Sequence, residues 1–220
     1  MNKVNLLKGL PKGKRTVSVR ADKKSAENIR ISRLYGHQYF DGDRKYGYGG
    51  YSYDGRWQPV AKDIIAHFGL KPGDRVLDIG AAKGFLVKDL GQAMAGLDVY
   101  GTDISSYALK CCEKEVVGQL HLHDLNTPLP FPDNSFDAVV CINTLHNLKR
   151  ENVILALREM TRVVREDKIF VQVDSYETIE QQEIFLDWVL TAYTHDFPEG
   201  WLNIFREADY CGDYNWTIIS

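Results

Sequence analysis

Apolar residues fall along this chain in two alternating rhythms, short unbroken runs and stripes at helical spacing. Arg75-Val-Leu-Asp-Ile79 is a brief run closed by Gly80, the pattern of a strand buried on both faces. Phe85, Leu86, Leu90 and Met94 then recur at helical spacing and stop near Gly96. A second strand is predicted over 98–102. A helix follows from about 105 to 117, with Ser105 or Ser106 as its N-cap. Residues 119–122 and 136–143 read as the third and fourth strands. Between them the prolines of Pro128-Leu-Pro-Phe-Pro132 forbid a helix. Val153, Leu155, Leu157, Met160 and Val164 predict a helix over 151–164, before a fifth strand over 168–173. One helix through Phe185, Leu186, Val189 and Leu190, another over 201–208 and an edge strand over 214–220 complete the pattern.

Strands alternating with helices imply βαβ units and a parallel sheet covered on both faces. Right-handed crossovers then leave a doubly wound α/β fold, a Rossmann-like sandwich, expected over 61–220. Residues 35–60 differ. Tyr35, Tyr39, Tyr46, Tyr48, Tyr51 and Tyr53 are interleaved with six glycines, a segment unable to form its own core. We expect a lid or substrate clamp there. Charge sets off residues 1–34: the net is +8 over residues 1–33 and −11 over the remainder, for −3 in all. Without interleaved aromatics to stack bases, this arm reads as a solvated, partly disordered leader rather than a nucleic-acid clamp. No apolar run approaches the roughly 20 residues of a membrane span, and the first ten residues hold no secretory h-region. Cys111, Cys112, Cys141 and Cys211 form no Cys-x-x-Cys pair, so a reduced cytoplasmic protein without a metal site is expected.

The chemistry concentrates at strand ends. Asp78 precedes a tight turn through Gly80 and Gly84, where small residues, Ala81 among them, bring backbone N–H groups near a ligand. Asp103, beside Ile104, follows the second strand at the spacing of an acid that meets a ribose diol. Asp124 and Leu125 follow the third, suited to an adenine edge and ring face. Three acids disfavour a phosphate and suit an ammonium and sulfonium ligand, which favours S-adenosylmethionine over NAD or ATP.

The stretch from about 71 to 173 resembles the class I S-adenosylmethionine-dependent methyltransferases, in the branch acting on small molecules. Asp78-Ile-Gly-Ala-Ala-Lys-Gly84 is similar to that family's acidic glycine loop, with Ala82 where many members have glycine. The resemblance implies that Asp103 binds both ribose hydroxyls and Asp124 the adenine. The flanking Tyr39-Phe-Asp-Gly-Asp43, Gly47-Tyr-Gly-Gly-Tyr51, Asp54-Gly-Arg-Trp57 and Gly212-Asp-Tyr-Asn-Trp-Thr217 resemble a bacterial group encoded among polysaccharide biosynthesis genes. An O-methylated sugar, nucleotide sugar or glycan precursor is the acceptor this implies.

A hydroxyl acceptor needs a general base. In Asn143-Thr-Leu-His-Asn-Leu148, His146 is the candidate base and Asn143 a cofactor neighbour. Tyr46, Tyr48, Tyr51, Arg56, Trp57, Tyr193 and His195 are candidate acceptor contacts. Two other readings are RNA 2′-O-methylation and a cofactor-binding subunit without catalysis. A tyrosine-lined pocket, a wide basic groove or a filled core beside His146 would separate the three.

Overall fold

A computed structural model of the chain describes residues 1–11, 21 and 24–219. Six strands form one parallel sheet in the order β3-β2-β1-β4-β5-β6: β1 Arg75–Ile79, β2 Asp98–Asp103, β3 Leu120–Leu122, β4 Ala138–Ile142, β5 Ile169–Ser175 and β6 Asp213–Ile218. The order reverses between β1 and β4, the switch point at which doubly wound sheets bind ligands. The expected final edge strand is β6, in parallel register with β5 from Phe170↔Asp213 to Ser175↔Ile218.

Eight α-helices flank the sheet among the described residues: α1 Ala26–Ser32, α2 His37–Phe40, α3 Gln58–Phe68, α4 Phe85–Ala93, α5 Ser106–Lys110, α6 Arg150–Val163, α7 Ile179–Trp188 and α8 Pro198–Glu207. Strand alternation divides the core. Leu77, Ile79, Val139 and Val171 face α6 and α8 through Leu157, Met160, Trp201 and Phe205. Val76, Val99, Val140 and Phe170 face α3 and α4 through Val60, Ile64, Leu86 and Leu90. Asp78 shares the face of Val76, so a carboxylate enters an apolar layer.

Three local expectations change. The helix expected over 105–117 stops at Lys110, and a 3-10 turn, Lys114–Val116, follows. There the Glu113 N–H donates to Lys83 O, and Val116 drops into the core at 1% exposure. Tertiary contacts thus override local helix propensity. Helix α3 was not foreseen, although Val60, Ala61, Ile64 and Phe68 form its buried stripe and Gly69 caps it at φ +61. The basic arm is packed where it is described. Leu6 is buried against the α3 face, and residues 2–4 pair with Tyr214 at the outer edge of β6. Of the solvated arm expected over residues 1–34, residues 12–20, 22 and 23 lie outside the described residues.

The tyrosine-rich segment builds an aromatic cluster by borrowing a floor. Tyr39 meets Phe40 edge-on at 5.1 Å, and Tyr51 stacks on Phe85 at 4.8 Å. Ala82 and Ala108 lie beneath. An ion pair from the buried Lys83 Nζ to the half-buried Asp41 at 2.7 Å fastens the segment to the glycine turn.

Candidate functional site

A cavity of about 460 Å³ opens at the carboxyl ends of β1, β2, β3 and β4. Its floor is the turn after β1. Gly80 holds φ +81, and a Cβ there would stand 2.0 Å from Thr144 Oγ1, so only glycine fits. Ala82 also lies in the left-handed region, at φ +51. Its departure from glycine is therefore felt in backbone conformation, about 1 kcal/mol, rather than in crowding. The turn's N–H groups are spent inside the fold: those of Gly80 and Ala81 donate to Thr102 O, and that of Gly84 to Ala81 O. The expectation that they face a ligand is thus corrected; the turn offers a close, side-chain-free surface instead. Ala81 and Gly84 lie behind the cavity wall, and a Cβ on Gly84 would meet Val116 at 2.8 Å.

Asp78 is 4% exposed, and no described residue donates a hydrogen bond to it. Burial, with a smaller contribution from the charge of Asp103, pushes its pKa up to about 7. Asp78 lies behind the cavity wall rather than in it, and an unpartnered buried carboxylate at a strand's exit marks a candidate functional group. Asp103 lines the cavity at the exit of β2. Its two oxygens accept from the N–H groups of Ala82 and Ser105, each at 2.8 Å. Burial raises its pKa while those two bonds oppose the rise.

Asp124 and Leu125 line the cavity after β3, as does Ile104 after β2. Asp124 Oδ1 accepts from the backbone and side-chain nitrogens of Asn126 at 3.0 and 2.8 Å. Beside it, His123 lines the wall with a buried Nε2 that has no partner among the described residues. At the exit of β4, Asn143 takes φ +53, and Thr217 donates to its Oδ1 at 2.8 Å. Tyr35, Tyr39, Phe40 and Tyr48 form one wall, and Tyr193 stands across the mouth, half exposed.

His146 is not brought to the cavity. It is 5% exposed, its Nδ1 accepts from the Asp174 N–H at 3.1 Å, and its Nε2 lies 3.5 Å from the Asp174 carboxylate. The cause is local. Leu145–Asn147 is a 3-10 turn, so Thr144 and Asn147, three residues apart, face the cavity while His146 points behind it. Four expected acceptor contacts also stand apart from the cavity. Tyr51 is stacked on Phe85, Tyr46 lies under the Lys45 ammonium, Arg56 is paired with Asp54, and Trp57 packs against the α3-side core. Tyr48 and Tyr193 do line it. His195 lines an adjoining depression, where its Nδ1 lies 3.1 Å from the Tyr176 hydroxyl and burial lowers its pKa. Sequence reasoning missed Arg33, Thr144, Asn147, Lys149 and Glu151 in the wall. A three-residue period after β4 would have found Thr144 and Asn147.

Known proteins agree with this geometry. Residues 77–172 match the family model described as a methyltransferase domain. A demethylmenaquinone methyltransferase of Renibacterium salmoninarum is 38% identical over 189 residues, which cover 75% of this chain and 74% of that protein. A ubiquinone/menaquinone biosynthesis C-methyltransferase of Cupriavidus necator is 37% identical over 107 residues, covering 46% and 43%. An N-methyltransferase 2 of Haemonchus contortus, solved with phosphomonomethylethanolamine and S-adenosylhomocysteine, shares the fold. Its TM-score is 0.57 at 18% identity, over 86% of this chain and 44% of that one. The unpartnered Asp78, the glycine-only approach at Gly80 and the acids closing β2 and β3 fit a cationic nucleoside. With these relatives, they make the chain a member of the class I S-adenosylmethionine-dependent methyltransferases, with S-adenosylmethionine as its cofactor.

Proposed function

We propose that the chain methylates a small, flat acceptor whose nucleophile is ionised or electron-rich before it binds. One observation carries this reading: a single cavity joins the acids closing β2 and β3, Asp103 and Asp124, to a tyrosine wall, and no histidine reaches its β4 side. When bound, S-adenosylmethionine supplies a methyl group on a sulfonium already activated for displacement. Asp103 and Asp124 would hold the ribose and adenine, Ile104 and Leu125 would cover the ring faces, and Asp78 would meet the cationic end. The tyrosines of 35–60 would exclude water and present flat surface to an acceptor ring, the lid role expected of that segment.

An unactivated sugar hydroxyl needs a base in contact with it. The side chains nearest the end of β4 on the wall are Asn143, Thr144 and Asn147, none of which takes up a proton near neutral pH, and the carboxylate of Glu151 stands farther along, at the start of α6. A phenolate, an enolate or an electron-rich ring carbon needs no such base. The curated relatives are named for quinone methylation, which agrees with that chemistry. The sugar acceptor and polysaccharide association expected from the flanking motifs fit where the sugar brings its own ionised oxygen. Against an RNA substrate, Arg33 and Lys149 are the only lysine or arginine cations among the described lining residues.

Methyl transfer from labelled S-adenosylmethionine to dihydroxybenzoates, a naphthoquinol, sugar phosphates and neutral sugars tests the reading. Label should pass to the ionised or electron-rich members. Efficient methylation of a neutral sugar, with a pH profile set by a histidine, would contradict it.

A further inference from the structure

Arg33, just after α1, sets a cation into the cavity wall without an anion to match it. Its guanidinium carbon lies 3.8 Å from the centroid of the Tyr193 ring. One terminal nitrogen donates to Ala192 O at 3.3 Å. The Nε hydrogen is buried with no acceptor, and no carboxylate lies within ion-pair distance among the described residues. A buried N–H of a cation left without a partner is costly, and a cation in a cavity that takes a cationic cofactor adds repulsion. Both costs vanish if an anion binds there.

The place of this cation identifies which ligand it serves. The N–H groups of Tyr193 and Thr194 donate to His146 O at 2.9 and 3.0 Å, anchoring the Tyr193–Arg33 stack over the exit of β4. Asp103 closes β2, two strands away, or about 10 Å across the sheet. Lys149, also without an ion pair among the described residues, lines both the cavity and the adjoining depression, as Tyr193 does. Glu151 lines both as well, two positions beyond Lys149.

We infer that Arg33, clamped flat on Tyr193, is an anion site for the acceptor, which therefore carries a carboxylate or phosphate away from the atom that is methylated. The inference rests on the methyltransferase reading of the cavity. Arg33 presents a planar fork to the oxyanion, Tyr193 fixes its plane, and Lys149 adds charge at the mouth.

The test uses the full chain saturated with S-adenosylhomocysteine and ligand-observed NMR on matched probes, benzoate against benzyl alcohol and glucose 6-phosphate against glucose. The anionic member of at least one pair should bind and its neutral partner should not; which pair responds tells carboxylate from phosphate. Arg33→Met should weaken that binding about 10- to 100-fold while leaving calorimetric affinity for S-adenosylhomocysteine within about twofold. Arg33→Lys, which keeps charge but not the stacked plane, should fall between. Equal binding of the neutral members, or no anionic probe bound at millimolar concentration, would overturn the inference. So would loss of S-adenosylhomocysteine affinity in Arg33→Met, which would assign Arg33 to the cofactor's own carboxylate. Failure of the wild-type chain to bind S-adenosylhomocysteine would overturn the cavity reading beneath it, and the inference with it.

Discussion

Replacing Asp78 by Asn should make the empty protein more stable and the cofactor weaker-bound. The folded-state pKa of Asp78 is raised, from 3.8 to about 7, by burial and by Asp103. A raised pKa means that its stability contribution is fully present below about pH 4 and is lost as pH rises through 7. At 1.36 kcal/mol per pK unit, the ionised carboxylate costs the empty fold roughly 4 kcal/mol at pH 8. An Asn amide is neutral but brings unmatched donors, which leaves a net gain of about 2–4 kcal/mol. For a chain of this size that is a rise in Tm of about 5–15 °C at pH 8, with little difference at pH 4. The same change removes the carboxylate we propose meets the cationic end of S-adenosylmethionine and should weaken binding about 10- to 100-fold. Wild-type affinity should rise by that same 10- to 100-fold as Asp78 ionises, over the one to two pH units below about 7, and then level off; the Asn variant should show a flat profile. Scanning calorimetry with titrations in two buffers of different ionisation enthalpy measures all three. If Asp78→Asn leaves Tm and the pH profile unchanged, the buried-charge reasoning is refuted.

Three further outcomes follow from the same geometry. His146→Ala should leave turnover of the folded enzyme within about tenfold, because both ring nitrogens are engaged by Asp174; a loss of 10² or more in kcat would restore it as the base. Amide exchange over residues 35–59 should slow on adding S-adenosylhomocysteine, and equal protection without ligand would make the segment a fixed wrap. Burial opposes ionisation of Asp41, but hydrogen bonds from Lys83, Tyr51 and Tyr107 prevail and hold its pKa down to about 2. Its contribution is therefore present above about pH 4 and lost as pH falls toward 2, so acid should release the segment from the glycine turn in that window. Tyrosine fluorescence and exchange that stay constant across it would count against this anchor.

The central strands could be read because they are short, mainly apolar runs: β4 is Ala-Val-Val-Cys-Ile, and β1 appears over the expected residues, 75–79. The strand-end acids could be read because the turn after a parallel strand fixes where a side chain points, and Asp103, Asp124 and Asn143 all reach the cavity. Asp78 carries a different lesson: its position was evident, but its lack of a donor depends on what packs around it. His146 was misplaced because its position just past the fourth strand does not reveal the 3-10 turn there, whose three-residue period turns it away. Arg33 was hidden in a run of basic residues. Only the fold brings it against Tyr193, which is 160 positions away in sequence.

Calorimetric titration of the chain and its Asp103→Ala variant with S-adenosylhomocysteine tests the central claim most directly. Asp103 is the acid on the cavity wall that we propose takes two ribose hydroxyls. The wild-type chain should bind one equivalent saturably, and the variant should bind about 2–4 kcal/mol more weakly, at 1–2 kcal/mol per lost bond to a charged acceptor. Absence of binding to the wild-type chain, or equal affinity in the variant, would contradict the account.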